Sequence, residues 1–216
     1  MHPLDLDAFR AAPLVREPFD YLILPGFVRA PALAALDADY PEVPAAGSFP
    51  VKQVAAGPAF WDLIDALKAP EFRSACAEKF GLDLRRRPTT VTVRGRCSPR
   101  DGRIHTDSKS KLITILVYPN PSWEADGGRL RLLRSATDME AVVAEVPPVA
   151  GTLVAFRRAD NSYHGHLPFD GPRRVIQLNW LRSALRARLE TLKHGLSGWA
   201  KRVRAQRFDP AYREAA

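Results

Sequence analysis

Five consecutive residues, Arg103-Ile104-His105-Thr106-Asp107, put an imidazole and a carboxylate two positions apart. Both side chains are metal ligands. Alternate residues of a strand share a face, so a strand here would project His105 and Asp107 together and turn Thr106 away. One more imidazole would complete two nitrogens and one oxygen on the same side of an ion. The segment Ser162-Tyr163-His164-Gly165-His166 offers two candidates, His164 and His166. A facial set of this kind suits Fe(II), because it leaves coordination positions open. The same pair of residues also occurs as an ordinary solvated loop, so the motif needs its surroundings.

Those surroundings are rich in strands. After Gly81 the chain runs through apolar, β-branched segments at 89–96, 111–119, 128–134, 141–146, 151–156 and 174–181. Turn sequences separate them, among them Gly127-Gly128, Pro147-Pro148 and Gly171-Pro172. Short strands at this spacing indicate a barrel or sandwich. Before Gly81 the pattern is mostly helical. A short strand within 19–28 ends at Pro25-Gly26, a helix over 30–40 carries Pro31 in its first turn, and 41–58 is rich in Pro, Gly and Ala. Helical apolar spacing returns at 59–68 and 70–81, with Gly81 as the stop. Helix is expected again from about Leu181. The order predicts an α+β, mainly β domain, with helices buttressing one sheet of a double-sheet barrel.

Taken together, the blocks RIHTDSKSKLITILVYPN, DGGRLRLL, PPVAGTLVAF and SYHGHLPFDGPRRVIQLNWL resemble the iron(II)/2-oxoglutarate-dependent oxygenase superfamily, most closely its prolyl-hydroxylase-like branch. The resemblance covers about 89–182 and extends more loosely to the opening strand and helix. It implies a double-stranded β-helix (jelly roll), with Fe(II) and 2-oxoglutarate as cofactors and ascorbate as an accessory reductant. It implies His105, Asp107 and a distal histidine as iron ligands and catalytic centre. In similar proteins a proline follows that histidine four positions on, and a basic residue for the distal carboxylate of 2-oxoglutarate follows at nine or ten. From His164 these offsets reach Pro168 and Arg173 or Arg174, whereas nine from His166 reaches Val175, so His164 is preferred. Strand parity puts Arg173 with Val175, Gln177 and Asn179, the more polar face, and Arg174 with Ile176, Leu178 and Trp180, the apolar one, which favours Arg173. Tyr118 matches a tyrosine that binds the same carboxylate in similar enzymes. Related halogenases lack the carboxylate ligand, so Asp107 points to hydroxylation. The resemblance leaves the substrate open, a prolyl residue or a small metabolite, with specificity expected from loops 41–58, 97–104 and 120–126. Arg94, Arg96, Arg100 and Arg103 stand near the motif and are candidates for the entrance.

Composition bounds the rest. The chain has 216 residues, 46% hydrophobic and 26% charged, enough for one domain with a core. The expected division is an oxygenase domain over 1–182, helical to about 88 and β from 89, and a basic amphipathic tail over 183–216. The N-terminus lacks a basic segment followed by an apolar one, no apolar run is long enough to cross a bilayer, and Cys76 and Cys97 form no framework, so a cytoplasmic protein is expected. The net charge is +8, and nine Lys/Arg against three acids fall from Arg182 onward. Apolar residues recur at helical spacing in that tail, which docking against the barrel explains better than binding nucleic acid or an anionic membrane. Two rival functions stand beside the hydroxylase: a cupin-like metal enzyme that does not use 2-oxoglutarate, and a non-catalytic binding module acting through the tail.

Overall fold

The computed structural model describes residues 2–183. The amphipathic tail expected over 183–216 lies outside the described residues apart from Ser183.

The β-rich part forms two antiparallel sheets. Nine strands are described: β1 (Tyr21–Leu24), β2 (Phe49–Pro50), β3 (Thr89–Cys97), β4 (Lys111–Tyr118), β5 (Leu130–Leu133), β6 (Val142–Val146), β7 (Thr152–Arg157), β8 (Tyr163–Gly165) and β9 (Gly171–Leu181). The larger sheet has the order β1-β7-β4-β9-β3-β2 and the smaller β6-β5-β8. This is a jelly roll with few helices.

Period-two burial explains how the sheets find their places. On β4, Ile113, Ile115 and Val117 face one way, joined by Leu153 and Ala155 of β7 and Ile176, Leu178 and Trp180 of β9. Onto that face pack helices α3 (Pro58–Lys68) and α4 (Pro70–Phe80), through Phe60, Leu63, Ile64, Leu67, Phe72 and Phe80. The opposite face carries Tyr118, Val154, Phe156 and Val175, which meet Leu130 and Leu132 of the smaller sheet. A one-residue slip of any strand would exchange the two faces, so the register is strongly fixed.

The helices end where their sequences direct. Prolines stand in the first turn of α2 (Ala30–Asp39), α3 and α4, where a missing N–H costs nothing. Gly81 closes α4 at φ +62° and donates to the Ala77 and Glu78 carbonyls, a left-handed cap open to glycine. Helix α1 (Leu6–Ala11) was not expected. Its Asp5 side chain caps the Ala8 N–H at 3.0 Å, and Phe9 is its buried anchor.

Two expectations are corrected and one strand is added. His105 and Asp107 do not sit on a strand: His105 forms an isolated bridge and Asp107 follows in irregular chain. The segment holding His164 is a strand, β8, too short at three residues to show alternation. Leu181, where helix was expected to resume, closes β9 and is buried, and Arg182 and Ser183 are not helical.

Candidate active site

His105 and His164 are brought together by backbone pairing. Each donates its N–H to the other's carbonyl at 3.0 Å, and their rings lie 4.3 Å apart between centroids. β8 is fixed on its other side by β5, where Leu132 faces His164. Asp107 follows two residues after His105, and the ligand atoms of His105, Asp107 and His164 all lie within 4.8 Å of one another. His105 is exposed while Asp107 and His164 are buried, so the cluster opens to solvent on one side. His166 is not in this cluster.

The tautomers follow from the hydrogen bonds. His105 Nδ1 lies 2.8 Å from the Arg103 carbonyl and His164 Nδ1 lies 3.0 Å from that of Ser162. A carbonyl only accepts, so each Nδ1 carries the proton and each Nε2 keeps its lone pair, the arrangement a metal-binding histidine requires. Burial pushes the His164 pKa down to about 4, against the pull of Asp107, so this imidazole is neutral at pH 7. Burial would raise the Asp107 carboxyl. The charges of Lys111 and His164 and the hydrogen bonds from Lys111 and Thr114 outweigh that and hold it at about 2. Lys111 Nζ donates to Asp107 Oδ1 at 2.6 Å, Thr114 Oγ1 donates to Oδ2, and Arg158 Nε donates to the Asp107 carbonyl at 3.2 Å.

The cluster lines a cavity of about 320 Å³. Arg173 lies in its wall, 5% exposed, with Nε donating to the Gly128 carbonyl at 2.7 Å. Its guanidinium lies 5.5 Å from the centre of the Tyr118 ring. Arg174 points the other way, over the Tyr40 ring and onto Asp37 at 2.5 Å. Tyr118 is fully buried and its hydroxyl finds no hydrogen-bond partner. Burial raises its pKa, with the Arg173 charge opposing. An unpartnered buried hydroxyl beside a guanidinium is costly alone and suits a bound carboxylate oxygen. Two imidazoles with Nδ1 turned to backbone carbonyls, one ionised carboxylate and this arginine–tyrosine pair therefore fit a divalent metal and a dicarboxylate.

The expected entrance is largely different. Of Arg94, Arg96, Arg100 and Arg103, only Arg94 lines the cavity; Arg96 pairs with Asp170 at 2.9 Å. Loops 41–58 and 97–104 contribute Ser48 and Gly102, and 120–126 contributes nothing to the wall. The sequence reading missed Thr114 and Lys111. A lone hydroxyl within the apolar run of β4 signals Thr114. Lys111 carried no signal, because β4 shifts register between Lys111 and Ile113 and the lysine leaves its parity.

A family model described as the 2OG-Fe(II) oxygenase superfamily matches residues 96–182. This stretch holds all three members of the cluster, Arg173 of the cavity wall, Tyr118 behind it, and β4 to β9.

Residues 96–182 are thus similar to the 2OG-Fe(II) oxygenase superfamily.

Fe(II) and 2-oxoglutarate are the cofactors of this oxygenase family. Solved structures agree on the fold. A prolyl-4-hydroxylase from Pseudomonas putida is 21% identical with a TM-score of 0.55, over 83% of this chain and 93% of that one. The viral collagen prolyl hydroxylase of Paramecium Bursaria Chlorella virus-1 is 18% identical at 0.53, over 76% and 96%. A 2OG-Fe(II) oxygenase family oxidoreductase from Burkholderia pseudomallei is 16% identical at 0.51, over 82% and 89%. No curated protein matches by sequence. No helix among the described residues is long and apolar enough to cross a membrane.

Proposed function

We propose that this oxygenase hydroxylates an unactivated C–H bond at the His105–Asp107–His164 cluster: substrate, dioxygen and 2-oxoglutarate give hydroxylated substrate, succinate and CO2. The observation that carries the assignment is the convergence of the three donor groups within 4.8 Å, in a cavity that also holds a buried arginine. Bound there, Fe(II) and 2-oxoglutarate would supply the oxidising chemistry.

The chain's own residues do the positioning. His105 and His164 present Nε2 lone pairs because their Nδ1 protons are committed to backbone carbonyls. Lys111 and Thr114 hold the Asp107 carboxylate in one orientation. Arg173 would receive the distal carboxylate of 2-oxoglutarate on its remaining N–H groups, with the Tyr118 hydroxyl donating alongside. A guanidinium forks onto a carboxylate in a way an ammonium cannot copy. Its planar head is fixed by the Gly128 carbonyl, so little rotational freedom is left to lose on binding.

The substrate class is a peptide or a small molecule, as the prolyl hydroxylases of similar fold suggest. Cys76 and Cys97 are buried free thiols, which suits the cytoplasm. A cupin-like enzyme without 2-oxoglutarate would leave Arg173 and the Tyr118 hydroxyl without work. The test is anaerobic addition of Fe(II) and 2-oxoglutarate. A visible charge-transfer band is expected from the wild type and absent from His105→Ala and Asp107→Ala proteins that remain folded. A band of full strength in both variants refutes the assignment.

A further inference from the structure

The cavity has more positive charge than its cofactors use. Its wall carries three basic side chains, Arg94, Lys111 and Arg173, and one carboxylate, Asp107. Arg94 is answered within the protein: its Nη1 donates to Asp101 at 2.8 Å. On the reading above, a divalent metal, Asp107, the 2-oxoglutarate dianion and Arg173 sum to zero. Lys111 is left over. Its side chain is 10% exposed, and its described partner is Asp107, the carboxylate that the metal would share.

Position matters as much as charge. Lys111 opens β4 and Tyr118 closes it, with Arg173 against the Tyr118 ring. Seven residues of strand separate those ends by roughly 23 Å. The cosubstrate anchor is therefore at one end of the strand and the lysine at the other, with Thr114 along the strand between them and the Asp107 carboxylate in contact with both Lys111 and Thr114. Once Asp107 is shared with a metal, a cation this shielded keeps only part of its counter-charge, and a further anion beside it would offset the cost of its burial.

We propose that Lys111 is a specificity-determining residue and that the substrate carries a carboxylate, which the Lys111 amine holds beside the metal ligands. The inference rests on the proposed iron and 2-oxoglutarate site and adds the chemistry of the third reactant. Ser108, Gln177 and Thr92 in the same wall supply further polar contacts. An acidic amino acid derivative or a chain-terminal carboxylate meets the requirement; a neutral internal residue of a peptide does not.

The experiment compares matched pairs. N-acetyl-L-amino acids and their carboxamides, covering the twenty side chains, are offered to Fe(II)- and 2-oxoglutarate-loaded enzyme, and succinate release is followed. At least one acid is expected to exceed its amide by 10-fold or more in kcat/KM, the discrimination of one charge-assisted hydrogen bond at about 1.5–3 kcal/mol. In Lys111→Gln the acid-to-amide ratio for that pair should fall to within about threefold of one, and Lys111→Arg should restore part of it. The ratio is measured within one loaded protein, so any change in metal affinity or in the posture of Asp107 cancels. A lysine that merely supports Asp107 would lower both rates and leave the ratio alone. Amides equal to acids throughout, no acid active, or an unchanged ratio in Lys111→Gln each overturn the proposal. Failure of the underlying site is separate: the wild type then shows no charge-transfer band with Fe(II) and 2-oxoglutarate.

Discussion

His105 and His164, 59 positions apart in the chain, exchange both backbone hydrogen bonds at 3.0 Å and hold their rings tilted at 56° with centroids 4.3 Å apart. Residues paired in this way across antiparallel chains present their side chains on one face. The two imidazoles are thus placed by main-chain geometry and do not depend on a bound ion to find each other. Replacing either ring by alanine should leave the bridge intact. His105→Ala, at an exposed position, should keep the wild-type melting temperature within about 2 °C, because surface substitutions cost within roughly 0.5 kcal/mol. The same variant should lose Fe(II)-dependent succinate formation to about 1% or below. Retained turnover in a folded His105→Ala protein removes this histidine from the centre.

Asp107 depends on its supports. Thr114 donates to Oδ2 from within the apolar run of β4, where its hydroxyl has few other partners besides Asn179 at 3.1 Å. Thr114→Val keeps the shape and deletes the donor. Loss of such an outer hydrogen bond weakens metal binding by roughly 10- to 100-fold. Chelator competition with Co(II) measures it directly, and an affinity equal to wild type shows that Thr114 does not hold the carboxylate.

Arg173 and Arg174 are neighbours with opposite faces, so they form a matched pair. Arg173→Leu should raise the KM for 2-oxoglutarate by about 100-fold, as expected for a lost charged hydrogen-bond pair. Arg174→Leu breaks only the contacts to Asp37 and the Tyr40 ring and should leave that KM within about twofold. Cosubstrate titrations of both variants decide the assignment, and equal effects would leave no anchor at 173.

Tyr118→Phe separates stability from function. The hydroxyl is buried without a partner, a state that costs about 1–3 kcal/mol. Its removal should therefore leave the cofactor-free protein as stable or up to about 1 kcal/mol more stable by urea titration. In the same protein the 2-oxoglutarate KM should rise several-fold. A destabilised variant with an unchanged KM would make Tyr118 a packing residue only.

Much of this was legible in the sequence because it rests on period and chemistry. Alternation placed Arg173 on the cavity side and Arg174 outside, with Ile176, Leu178 and Trp180 turned to the helices. Helices 59–68 and 70–81 were found within a residue of their ends because proline and glycine mark them. What escaped lacks period. β8 is three residues long, and α1 is six. His105 and Asp107 converge from a bridge and the irregular chain after it, a juxtaposition that strand parity predicts without a strand being there. Lys111 escaped through a register shift that no local pattern announces.

The pH dependence of the cofactor-free protein follows from two buried histidines. Burial lowers His164 and His166 from the usual 6.5 to about 4, with the Arg173 charge adding to the effect at His166. In the unfolded chain both titrate near the ordinary value. As pH falls below about 6.5 the unfolded state binds protons that the folded state refuses, so stability drops. The loss continues until the folded pKa values near 4 are reached. Asp107, held at about 2, loses its contribution only below the ordinary carboxylate range. Each histidine should cost on the order of 2 kcal/mol by pH 5. In the presence of a chelator, the urea midpoint should be flat from pH 8 to about pH 7 and then fall steeply. His166→Gln, which keeps a polar side chain without titrating, should remove about half of the decline between pH 7 and 5. His166 binds its own chain through Nδ1 at the Leu167 carbonyl, 2.8 Å away, so this variant tests the imidazole's proton and leaves the three-residue cluster in place. A midpoint equally steep in His166→Gln would mean that His166 takes up its proton at the same pH in the folded and the unfolded chain, and burial would then not be what sets it.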